Sequence, residues 1–198
     1  GSALQLTNYV DVPIVNAGDG THEHPTQALL DMMSIKEKFG KIEGLNVGIV
    51  GDILHSRVAL SNIFGLVKLG ANVKLCSPPH LIPKGIESLG VSLTYDIDEL
   101  IEWADAINVL RIQRERMGVG IIPSIREYRK FFGITNERIK NHKKEIVIMH
   151  PGPINRGVEI DSEVADSDQA IILDQVLNGV AVRMSVLYLL LGSTEIEK

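Results

Sequence analysis

The residues of this chain best suited to chemistry fall in four polar clusters, each bordering an apolar run. The first is His22-Glu23-His24-Pro25-Thr26-Gln27. As a metal site it is poor, because helix-borne zinc histidines stand four apart and no further ligand cluster follows. A better use is electrophilic. His24 directly precedes Pro25, a residue suited to the first position of a helix, where unpaired N–H groups and the positive dipole end favour a developing negative charge. Gln27, one turn on, offers both a donor and an acceptor. A plain polar helix cap accounts for the same residues.

The second cluster, Gly51-Asp52-Ile53-Leu54-His55-Ser56-Arg57, directly follows an apolar strand-like run. In an open α/β sheet, ligands bind beyond the carboxyl ends of the strands, so Arg57 falls where a site belongs. A nicotinamide-type dinucleotide is the rival ligand, but the segment lacks the G-x-G-x-x-G turn that cradles a pyrophosphate. The third cluster, Arg111-Ile112-Gln113-Arg114-Glu115-Arg116, again ends a strand-like run. Alternate positions send Arg111 and Gln113 to one side, and a guanidinium fork matches a carboxylate in two-point geometry. A lone basic segment reads as a solvated charge run; a second rim arginine, Arg57, turns the pair towards a dicarboxylate. The fourth, His150-Pro151-Gly152-Pro153, has two prolines that restrict the backbone, so a tight turn, able to contain a cis bond, can offer bare carbonyl oxygens to an amide. A rigid turn with no ligand is the alternative.

The elements needed to hold these clusters are legible in the periodicity. Asn46 to Gly51, Asn72 to Cys76, Val91 to Thr94, Ala106 to Leu110 and Glu145 to Met149 read as strands, separated by segments of helical period. That alternation predicts βαβ units. The right-handed crossover rule then favours a doubly wound, mainly parallel α/β sheet with helices on both faces. Val47, Ile49 and Val50 make the first strand apolar on both faces, hence central. Pro25 to Phe39 is predicted helical, stopped by Gly40, and Val58 to Leu69 likewise, stopped by Gly70. Asp96 and Glu99 suggest a capping box opening Leu100 to Ala104. Gln175 to Leu191 is apolar almost all round, so a helix there needs cover on more than one side, from another domain or subunit.

Composition narrows the class of function. The 198 residues are 44% hydrophobic and 23% charged, ordinary globular usage that excludes a disordered or collagen-like chain. With 20 basic and 25 acidic side chains the net charge is −5, which offers no basic field to a nucleic acid. Cys76 alone cannot form a disulfide framework and suits a reducing, cytoplasmic setting. The apolar run Val186 to Leu191 is shorter than the ~20 residues of a membrane span, and no leader opens the chain, so a soluble protein is expected. Gly1-Ser2 reads as a remnant of expression cloning.

In kind and order, the sets His24-Pro25-Thr26-Gln27, Gly51-Asp52 with Arg57, Arg111 through Arg116, and His150-Pro151-Gly152-Pro153 closely resemble the motifs of the aspartate carbamoyltransferase catalytic chain, from about Val12 to about Leu191. The sister ornithine family has H-C-L-P at the fourth motif, where this chain has His-Pro-Gly-Pro. The resemblance implies transfer of a carbamoyl group from carbamoyl phosphate to L-aspartate in pyrimidine biosynthesis, without metal or organic cofactor. It implies that His24 donates to the carbamoyl oxygen as the catalytic group, and that Gln27 and the carbonyls of Pro151 and Gly152 hold the carbamoyl amide. Arg57, Arg111 and Gln113 would grip aspartate, and Glu115 would orient Arg111. Met117 to Ile122 resembles a loop that closes over substrate. A homotrimer is implied, with a regulatory chain or a dihydroorotase as further partners.

The family also carries an S-T-R-T-R phosphate motif and a lysine-bearing loop that no stretch of these residues supplies. The expectation is that about one domain, on the order of 100 residues, is missing and that the chain alone is inactive or nearly so. The division expected is 1–44, a remnant of that first domain with a bridging helix; 45–170, an aspartate-binding α/β domain; and 171–198, a second bridging helix. An ornithine-type enzyme, a non-catalytic carbamoyltransferase-like scaffold and a nicotinamide-dependent oxidoreductase are the competing readings, since fold alone does not decide function.

Overall fold

A computed structural model of the chain describes residues 1–112, 124–141 and 145–192. Five short strands, Asn46–Val50 (β1), Asn72–Cys76 (β2), Ser92–Thr94 (β3), Ala106–Val109 (β4) and Val147–Met149 (β5), form one parallel sheet in the order β3-β2-β1-β4-β5. β1 is central: Val47 pairs with Val73 on one side and with Ala106 on the other. Its Val47, Ile49 and Val50 are fully buried. Each such side chain contributes about 1.5–3 kcal/mol. Because successive strand residues face opposite ways, Ile49 joins the core on one face and Val50 the core on the other.

The helices are Ser2–Leu6 (α1), Pro25–Phe39 (α2), Arg57–Lys68 (α3), Ile97–Trp103 (α4), Ile125–Phe132 (α5), Asn136–Asn141 (α6), Ser162–Ala165 (α7) and Ile172–Gly192 (α8). α2 has the predicted bounds, with Pro25 in its first turn and Gly40 closing it in a left-handed conformation. Ile35 of α2 and Ile63 and Leu66 of α3 cover one face of the sheet. On the other, Leu100 and Ile101 of α4, Ile139 of α6 and Val164 of α7 pack together. Asp96 caps α4 by accepting from the N–H groups of Asp98 and Glu99. The expected capping box is only half formed, because Glu99 turns away to Lys74 and Thr94.

α8 corrects two expectations. It starts at Ile172, and at 21 residues it is long and apolar enough, by length and composition, to cross a membrane. Its polar residues, rather than its apolar ones, face inward. Gln175, Asn178 and Gly179 form the buried stripe, with Asn178 donating to Ser34 Oγ at 3.0 Å and to Glu37 Oε2 at 2.7 Å on α2. Leu173, Val176, Leu177, Val180, Met184 and Leu187 face outward. Specific amide bonds hold this helix to α2, and its apolar sides are left exposed.

Candidate active site

The sheet order runs outward from β1 in both directions, towards β2 and β3 on one side and β4 and β5 on the other. The crevice beyond the carboxyl ends of β1 and β4 is thus the topological switch point, where open α/β sheets bind ligands. Arg57 starts α3 after the β1 loop, and Arg111 lies two residues beyond β4. The two arginines therefore flank the switch point. Leu110 donates from its backbone N–H to Val50 O at 2.7 Å, holding the two strand ends together. Gly51 makes this approach sterically feasible. Its φ is +128°, and a Cβ there would sit 2.7 Å from Leu110 O.

His24 enters from α2, where it is the N-cap residue and its carbonyl accepts from the N–H groups of Gln27 and Ala28. Its own N–H donates to Ser61 Oγ at 2.9 Å, fixing the helix start against α3 one turn past Arg57. Burial, then the positive fields of Arg57 and Arg183, push the imidazole down to a pKa of about 4. It is neutral at pH 7 and can donate from one ring nitrogen without carrying charge. The Arg57 guanidinium lies directly over the Gly18 backbone, where a Cβ would come within 2.7 Å of Cζ. Arg183, from α8, was not anticipated as a site residue. Its signal in the sequence is a lone cation among Val182, Met184 and Val186.

The His150-Pro151-Gly152-Pro153 turn follows β5 on the same rim, with a cis bond between Gly152 and Pro153. The Gly152 N–H donates to His150 Nδ1 at 2.8 Å, so the ring proton is on Nε2, which faces the fully buried Glu159. Glu159 also accepts from the Asn155 N–H. Asn155 Nδ2 reaches Ile112 O at 3.3 Å, linking this turn to the Arg111 segment. Gln113, Arg114, Glu115 and Arg116, and the expected closing loop Met117 to Ile122, lie outside the described residues.

Beneath these loops, Gln27 Nε2 donates to Asp31 at 3.0 Å. Burial raises the Asp31 carboxyl above the usual range, while N–H donors from Asn62, Gln175, Gln27 and Asn108 oppose that shift. None of these four partners' connections to Asp31 was evident from the sequence.

The aspartate/ornithine carbamoyltransferase Asp/Orn-binding domain matches residues 43–190, and the carbamoyl-P-binding domain of the same family matches residues 1–37. The chain belongs to the aspartate/ornithine carbamoyltransferase family. Within it, the chain is 62% identical to the aspartate carbamoyltransferase catalytic subunit of Christiangramia forsetii, over 96% of its own length and 61% of that relative. It thus spans about three fifths of that protein. The catalytic subunit of M. jannaschii aspartate transcarbamoylase superposes with a TM-score of 0.81 at 36% identity, covering 98% of this chain and 64% of the other. Ornithine carbamoyltransferase from Pyrococcus furiosus also reaches 0.81, at 30% identity, covering 96% and 63%. The carbamoyltransferase fold is therefore common to both substrate types, and the choice between them rests on side chains.

Proposed function

We propose that the chain supplies the aspartate-binding part of an aspartate carbamoyltransferase, which moves the carbamoyl group of carbamoyl phosphate to the amino group of L-aspartate. The amine nitrogen attacks the carbonyl carbon, a C–N bond forms, and the C–O bond to phosphate breaks. Phosphate leaves with the electron pair, and the amine releases a proton. His24, neutral beside two guanidinium groups, donates to the carbonyl oxygen as negative charge grows there; one such donor is worth about 3–4 kcal/mol in comparable sites. Gln27 and the Pro151 and Gly152 carbonyls accept from the carbamoyl NH2. Arg57, Arg111 and Gln113 hold the two carboxylates, with Glu115 steering Arg111.

The observation that carries this reading is the pair of rim arginines flanking the switch point beside an uncharged imidazole. Two cations fit the two carboxylates of aspartate, whereas the side-chain ammonium of ornithine would meet like charge. We also propose a cytoplasmic homotrimer, open to a regulatory chain or dihydroorotase. Of the division 1–44, 45–170 and 171–198, the first boundary is supported by the family models changing between residues 37 and 43, while one model runs on across residues 170 and 171. An NMR titration with N-carbamoyl-L-aspartate and with citrulline, the carbamoylated ornithine, tests the assignment. Shifts around Arg57 and His24 are expected with the first compound, and preference for citrulline overturns the reading.

A further inference from the structure

Asp31 is fully buried and receives four side-chain N–H groups from four different elements. Gln27 Nε2 of α2 and Gln175 Nε2 of α8 reach Oδ1 at 3.0 and 2.8 Å. Asn62 Nδ2 of α3 and Asn108 Nδ2 of β4 reach Oδ2 at 2.8 and 3.1 Å. A carboxylate only accepts, and two donors on each oxygen use its roughly four lone-pair sites. An amide side chain fits its space in two ways, related by a half-turn that exchanges oxygen and nitrogen. Against a carboxylate only one way is stable. Asp31 thereby dictates that Gln27 and Gln175 turn their NH2 ends inward and keep their oxygens for other partners. For Gln175 that partner is on the page: its Oε1 accepts the backbone N–H of His150 at 2.9 Å, at the root of the Pro151-Gly152 turn.

We propose that Asp31 is a positioning residue that leaves only acceptors facing the amide end of the acyl group, away from the carbonyl oxygen that His24 serves, selecting a ligand whose acyl carbon bears NH2 over one bearing CH3. This rests on the carbamoyl-transfer reading above and adds to it the origin of acyl-group specificity. One buried carboxylate fixes the acceptor end of Gln27 directly and braces the carbonyl-bearing turn through Gln175. Without Asp31, Gln27 is free to present its NH2 end, which repels a carbamoyl NH2 and tolerates a methyl. Because Asp31 also holds Asn62 of α3 and Asn108 of β4, the elements that carry Arg57 and lead to Arg111, succinate binding is the readout that separates a lost acyl preference from a disturbed rim.

The test is NMR titration of the full 198-residue chain with N-carbamoyl-L-aspartate, with N-acetyl-L-aspartate and with succinate. The unaltered chain is expected to favour the carbamoyl over the acetyl compound by about tenfold or more. Asp31→Leu is expected to reduce that ratio to within about threefold while succinate binding stays within about twofold. Asp31→Asn, which keeps one oxygen for Gln27 and Gln175, is expected to recover part of the preference. An unchanged ratio in Asp31→Leu overturns the proposal and leaves the carbamoyl-transfer reading standing. Failure of the unaltered chain to bind either succinate or the carbamoyl compound overturns both. If Asp31→Leu does not fold, Gln175→Met severs only the arm to His150; it is expected to lower the ratio, and an unchanged ratio there also overturns the proposal.

Discussion

The backbone N–H of His24 is bonded to the hydroxyl of Ser61 at 2.9 Å, so the N-terminus of α2 is tied to the helix that Arg57 begins. The imidazole is thereby held in the fields of Arg57 and Arg183.

The first prediction concerns its titration. The folded-state pKa of about 4 lies below the ordinary 6.5, so between those values the unfolded chain binds the proton and the folded chain does not. The stability contributed by the neutral ring is present above about pH 6.5 and is lost as pH falls towards 4. NMR titration of His24 should give a midpoint near 4. Arg57→Ala should raise it, and Arg183→Ala should raise it less. A midpoint near 6.5 in the unaltered chain contradicts the arrangement.

The second follows from the position of Arg111 beside β1 and β4. Removing one partner of a charged, two-point hydrogen bond costs a factor of about 10 to 100 in affinity. Arg111→Ala and Arg57→Ala should each weaken succinate binding by that much. Equal affinity in either variant would remove it from the substrate site and favour a non-catalytic scaffold.

Gly51 supports a third. A methyl group there meets the Leu110 carbonyl at 2.7 Å and enforces a positive φ on a side-chain-bearing residue. Gly51→Ala should lower stability by about 3 kcal/mol or more. Gly44→Ala is a control, with positive φ but open space around the added carbon; about 1 kcal/mol is expected. Urea unfolding of the two variants reads the difference, and equal losses would mean that strand approach does not depend on Gly51.

A fourth concerns α8, whose Leu177 and Val180 are 70% and 56% exposed. An apolar face of this extent promotes self-association. Sedimentation of the chain should show concentration-dependent association that the double change Leu177→Glu, Val180→Glu suppresses. A monomer at high concentration, or association that survives the change, contradicts it.

The sheet was readable from sequence because short runs rich in apolar residues, least so in Ser92–Thr94, alternate with segments of helical period, and α2 because Pro25 and Gly40 punctuate it. The rim position of Arg57 and Arg111 followed from strand ends alone. α5 and α6 were not foreseen, since their sequences IREYRKFF and NERIKN are rich in charge and leave only Tyr128 and Ile139 as buried anchors. The Asp31 network was equally hidden. Its four amide donors stand one per element in otherwise ordinary segments, up to 144 residues from Asp31, and periodicity treats an isolated acid or amide as solvent-facing. Glu99 shows the same limit from the other side: a local capping pattern lost to Lys74 and Thr94, which only the folded sheet brings near.

Because α8 turns its amides towards α2, its greasy ridge is already ordered, and a body settling on it incurs little loss of chain freedom from this side. Contact there is then governed by water released from hydrocarbon, a driving force that fades on chilling. Assemblies seated on this helix should loosen in the cold and tighten on warming, opposite in sense to contacts built on ion pairs or hydrogen bonds.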